Sequence, residues 1–336
     1  MASITGISGR IGTVALGIQT AKGTAAAAPT VKAFYNAAPS VKPYQNDARF
    51  SMTDSNRDAG DPYVSQIGVA GDVPVYCHAE MMALLWHLTL GANADTGAGD
   101  PFTHTATPAN DLPYFTMWRM VGNTIFEKYT DCKINQLTID GGAGAPLTAT
   151  FNVMGITSTF LASDVTTVDP ITTSPYLYMD GAGALKVDTV AYPIHALNLV
   201  VNNNLTAFQA DTYGIDNVDP GGRDITGSYS VRFGGATTLP LDYRSYFYGS
   251  DAGTAQATTF ANHALDFLFT RQVGPPARSM EIQIPKARWA DVPVQPDPGG
   301  AVIEVQCAFE AMRQGFTTHI EGPIMTAITI DGTATA

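Results

Sequence analysis

Six histidines, three cysteines and thirty carboxylates are the groups in this chain that could hold a metal, attack a carbonyl or move a proton. His78, Glu80 and His87 share the segment HAEMMALLWH. A zinc-binding helix needs histidines at i and i+4, so that both imidazoles leave one face. Here the spacing is nine residues, which puts the rings on different faces of a helix. The three read as flanking groups of a buried helix. Cys77 beside His78 is no nucleophile–base pair, because adjacent side chains diverge in helix and strand alike. Cys132 and Cys307 fall inside alternating runs, where a free cysteine acts as a small hydrophobe. Gly6-Ile7-Ser8-Gly9 starts like a nucleophile elbow, but Arg10 stands where the closing glycine belongs. Asp54, Asp58 and Asp61 lack the glycine and glutamate of a calcium loop. Asp211, Asp216 and Asp219 read as a second solvated loop. The expectation is no catalytic residue, no metal, no cofactor and no enzyme activity.

Composition narrows the class. The 336 residues suit two modules or one large β domain, at ~100–200 residues per domain. Charged residues make up only 14%, and the formal net charge is −12. No two basic residues are adjacent. Nucleic-acid binding and attachment to an anionic membrane both need clustered Lys or Arg. No apolar run approaches the ~20 residues of a membrane helix. Widely spaced cysteines fit neither a disulfide scaffold nor a zinc ribbon.

The elements that must position any functional surface are mostly strands. Residues 1–47 are rich in small residues, broken by Pro29, Pro39 and Pro43, and read as an extended N-terminal arm. Residues 78–90 form the clearest helix: Met82, Leu85, Trp86 and their neighbours are apolar on nearly every side, and Gly91 is placed to end it. The best hairpin spans 132–155. In CKINQLTID, Leu137 and Ile139 share a face with Asn135, against Ile134, Gln136, Thr138 and Asp140. After the turn GGAGAP, Leu147, Phe151 and Val153 oppose Thr148, Thr150 and Asn152. Further alternating runs lie at 196–204, 224–233, 264–271, 279–287, 301–312 and 323–330. The fold class expected is mainly β, a β-sandwich or partial barrel over 48–336 with one prominent flanking α-helix. Segments 157–195 and 289–300 read as peripheral insertions.

The order of these segments resembles the tail tube (major tail) proteins of long-tailed bacteriophages. Phe102, Thr103, His104, Pro108, Leu112 and Pro113 precede a strand carrying Tyr129, Cys132, Lys133, Asn135, Leu137, Thr138 and Ile139. A glycine-rich turn then leads to a strand that closes on Gly155. The resemblance runs from about residue 10 to 155 and continues loosely through the later strands. It implies hexameric rings that stack into a hollow tube, with the arm reaching the next ring. It also implies a tape measure protein and tail terminator or tip proteins as partners, a place in the virion tail, and assembly in the host cytoplasm. The hairpin 132–155 is then expected in the inner sheet. DNA would pass through the lumen without specific binding. An acidic, neutral-polar bore suits that passage, since it offers phosphate no counterion-release gain. Asp140, Asp266, Glu281, Glu304 and Glu310 alternate against apolar neighbours and are candidates to face the bore. An alternative from a different class is a carbohydrate-binding β-sandwich of a tail tip or fibre, which would display exposed Trp and Tyr on one sheet face.

Overall fold

The structure is a computed structural model. It describes residues 12–49, 61–122, 124–166, 168–171, 176–179, 184–232, 246–250, 253–258, 261–271, 278–292, 304–313 and 323–331. Gly6 to Arg10, Asp54, Asp58 and most of segment 289–300 lie outside the described residues.

The fold is mainly β. Strands β1 (Gly12–Ile18), β2 (Val31–Phe34), β3 (Lys42–Ala48) and β4 (Tyr63–Tyr76) lead to the helix α1 (Ala79–Leu90). Then come β5 (Gly91–Thr96), β6 (Phe102–Pro108), β7 (Phe115–Val121), β8 (Ile125–Gly142), β9 (Thr148–Gly155) and β10 (Thr157–Leu161). Short strands β11 (Leu177–Met179), β12 (Leu185–Val187) and β13 (Val190–Tyr192) precede β14 (Ile194–Asn202), β15 (Thr206–Phe208), β16 (Asn217–Asp219) and β17 (Asp224–Arg232). The last described strands are β18 (His263–Arg271), β19 (Ser279–Asp291), β20 (Glu304–Ala311) and β21 (Thr326–Asp331). Nineteen of them join in one sheet of antiparallel pairs, which does not close into a barrel, and β15 pairs with β16 apart from it.

The sheet forks along β19. One edge of β19 is taken by β18 from Ser279 to Ala287. The other edge is shared: β20 pairs with Ala287 to Asp291, and β21 with Ser279 to Gln283. Pro285, which has no N–H to give, sits in the gap between the two partners. From β20 one branch runs through β17, β14, β8, β9 and β4 to β3. From β21 the other runs through β6 to β5. Helix α1 packs against β21, β6 and β5 and also against β8 and β2, so it lies between the branches. The core is continuous across both.

That position explains a helix with almost no polar side. Met82, Leu85 and Trp86 are fully buried, and the Trp86 indole N–H donates to the Met280 sulfur at 3.1 Å. Gly91, at φ 107°, closes the helix by donating its N–H to the His87 carbonyl. A β-carbon there would lie 2.5 Å from the Asp111 carbonyl oxygen, so only glycine fits. The last carbonyls are met from outside: Asn203 donates to Thr89 O, and Arg223 donates to Leu90 O. A cation at this end also complements the helix dipole.

The described part of the N-terminal segment is extended, but it lies in the sheet. β1 pairs with β2 and with β7, and Val14, Ala15 and Leu16 are buried. β3 pairs along β4. Of segment 157–195, β10 extends the pairing of β8, while β11 and β12 pair with β18.

β8 carries two departures from simple alternation. Asp131 adopts φ 58°, buried, with its carboxylate accepting the Gly23 N–H at 2.7 Å. The register against β9 then shifts between Ile134 and Gln136. This bulge turns Ile134 inward, although strict alternation had grouped it with Gln136 and Thr138.

Leu137, Ile139, Leu147, Phe151 and Val153 are all fully buried, whereas Thr150, opposite Thr138, is only partly covered. Phe151→Ala should therefore lower the unfolding free energy by about 3–5 kcal/mol. Thr150→Ala should change it by less than about 1 kcal/mol. Urea denaturation reads both, and equal losses would mean the faces are assigned wrongly.

A buried ionic link ties together the three strands of the short branch, β5, β6 and β21. His104 on β6 engages Asp95 on β5 through Nδ1 (2.7 Å) and Asp331 on β21 through Nε2 (3.0 Å). Its side chain is 1% exposed and that of Asp331 is 0% exposed. Two carboxylates on both ring nitrogens require the imidazolium. Burial opposes the charge, but hydrogen bonds and charge from Asp331 and Asp95 outweigh it and raise the pKa to about 9. A raised folded-state pKa stabilises fully below pH ~6.5 and loses that contribution as pH rises through about 9. Wild-type stability should drop by up to about 3 kcal/mol over this window. His104→Gln should flatten the window, and an unchanged slope in that variant would refute the linkage.

Candidate functional site

One face of the long branch is core, and the other is a continuous polar surface. The registers set its rows. Asp72 on β4 lies opposite Asn152, then Gln136, Asn202 and Asp224. The next row runs Pro74, Thr150, Thr138, Val200, Thr226, Glu310 and Arg288. The third runs Tyr76, Thr148, Asp140, Asn198, Ser228 and Ala308. A fourth carries Gly142, Ala196, Ser230 and Gln306. Alternation produces most of this: Thr148, Thr150, Asn152, Thr138, Asn198, Val200, Asn202 and Glu310 each sit between two buried residues of their own strand.

The acids on this face are held in place by amides. Asn152 donates to Asp72, Asn198 to Asp140 and Asn204 to Asp224, each at 2.7 Å. Such donors fix the direction of each carboxylate. Among the described side chains of this face cations are scarce or occupied, and Arg232 of β17 lies in register opposite Glu304. Arg288 is bound to Glu310 at 2.8 Å. Lys133, opposite Met154, falls on this side, but it is buried: its Nζ donates to Val218 O at 2.9 Å and lies 4.3 Å from the Tyr114 ring centre. Burial pushes its pKa down. Exposed Lys42 flanks the rows on β3. Near Asp140, Asn198 and Gln306 the face dips into an open concavity of about 460 Å³.

Of the five acids picked from sequence, the structure brings Asp140, Glu304 and Glu310 onto this face. Asp266 and Glu281 lie elsewhere, on the outer side of β18 and β19 beyond the fork. Asp266 pairs with Lys186 at 3.4 Å, and Glu281 accepts from Gln283 at 2.6 Å. Asp72 and Asp224 belong to the surface and escaped the sequence reading. Their signal was present in VAGDVPVY and DITGSYS, where polar residues alternate with buried ones.

The groups with chemical potential are placed as packing residues. His78 caps α1 and packs on the Tyr176 ring at 4.8 Å, and Glu80 lies 3.7 Å from Arg278. Cys77, Cys132 and Cys307 are buried, and burial pushes the Cys77 and Cys132 thiols far up from their ordinary pKa. Trp86, Trp118 and Trp289 are buried as well, so none serves as a surface platform for a sugar.

Comparison with curated proteins gives no significant match. The family model described as phage tail tube protein matches residues 9–311, most of the chain. The chain belongs to the phage tail tube protein family.

Proposed function

We propose that this chain is the structural subunit of a phage tail, assembling with copies of itself into stacked rings, hexameric by the resemblance noted above, and that the amide-and-hydroxyl face lines the bore. The observation that carries this reading is the polar face itself. β9, β8, β14, β17 and β20 present Thr, Ser, Asn and Gln beside fixed carboxylates, Arg288 is bound to Glu310, and Arg232 of β17 lies in register opposite Glu304. DNA sliding past such a wall meets no cluster of cations to displace its counterions, and so no trap. Tape measure and terminator or tip proteins would be the further partners, and the N-terminal segment a contact between rings.

The role of the face is tested by charge reversal in virions. Asp140→Lys or Glu304→Lys should leave tubes of normal diameter in the electron microscope. DNA ejection should slow several-fold at ~0.01 M salt and less at ~0.15 M, because the Debye length shrinks from ~30 to ~8 Å. Asp266→Lys and Glu281→Lys, off this face, should eject at the wild-type rate. Normal ejection from the first pair at both salts would overturn the lumenal assignment. Monodisperse monomers of the purified wild-type chain would overturn the tube reading.

A further inference from the structure

The family match stops at Ala311, the last residue of β20. β21 lies beyond it, yet it fills an interior slot of the sheet. Ile328 is opposite Thr105 of β6 on one edge and Glu281 of β19 on the other. The slot is built from β6, β19 and α1, all far upstream in the chain. Inward, β21 presents Ala327, Thr329 and Asp331, each buried, and Asp331 meets the imidazolium of His104. That ion pair fixes register: a slip by one residue would turn the carboxylate outward and set Ile330 against the charged ring.

The connection to β21 has far more residues than the separation of the two strand ends requires. β20 ends opposite Ala287 and β21 begins opposite Gln283, on the same edge of β19. Four residues along a strand span ~13 Å. The fourteen residues 312–325 separate the two strands in sequence, and that length reaches ~46–50 Å when extended.

We propose that the slot between β6 and β19 is a strand-docking site, and that in the assembled tube it receives β21 from a second copy of this chain. The occupant is chemically defined: a short extended segment with small buried residues and a carboxylate placed to meet His104. Exchange of an identical element reuses every contact already present, so it links subunits at little cost. The inference rests on the tube reading only for the presence of neighbouring copies.

The test uses the full-length chain with single cysteines at facing positions, Thr105→Cys and Ile328→Cys, co-expressed and oxidised after assembly. Opposed residues of antiparallel strands lie ~4.5–5.5 Å apart at Cα, within disulfide range. Exchange predicts a reducible dimer containing one chain of each variant, and linked multimers from particles of the double variant. Only an intrachain cross-link in the double variant, with no mixed dimer, overturns exchange, whether the protein is in particles or in concentrated solution. Mixed dimers without rings or tubes by microscopy would keep the exchange and sink the tube reading.

Discussion

Strand alternation across β4, β9, β8, β14 and β17 is the constraint on which the rest depends. Each strand puts one residue in two into the core, and the registers align those residues into rows. Leu137, Phe151 and Val201 meet across three strands on the inner side, while Gln136, Asn152 and Asn202 meet on the outer. A one-residue slip anywhere would exchange the faces, burying amides and exposing Phe151. The core side enforces the order, because burying an unpaired amide costs ~1–3 kcal/mol and exposing a phenylalanine a comparable amount. The polar face is thus a by-product of core packing that becomes a usable surface.

The fork at β19 turns a two-faced sheet into a closed core. A single sheet of this width would leave its apolar side open to water. Splitting the edge of β19 between β20 and β21 gives two branches with α1 between them. The helix can be apolar on nearly all sides because it meets sheet on more than one. Its polar ends are met by Asn203 and Arg223 at one terminus, and Glu80 lies close to Arg278 near the other.

Much of this was legible in the sequence where one rule acted alone. α1 and the strand-rich class followed from periodicity, and the faces of the hairpin from alternation. Legibility failed where a backbone irregularity intervened: the bulge after Ile134 moved one side chain across the sheet, and nothing in CKINQLTID marks it. It failed again where tertiary pairing decided. The small residues and prolines of 1–47 read as an extended arm, and it is the pairing of β1 along β7, which no local pattern announces, that sets Val14 and Leu16 in the core. Among the candidate acids, alternation separated inside from outside but could not say which branch a strand would join, so Asp266 and Glu281 were grouped with Asp140. The partners of the surface acids, three asparagines on other strands or loops, required the registers to be known.

A reconstruction of the assembled tube at side-chain resolution tests the central claim most directly. The account predicts that Thr138, Asp140, Asn198 and Ser228 face the bore, with α1 enclosed in the wall. Finding those rows on the outer surface of the tube, or buried against a neighbouring subunit, would contradict it.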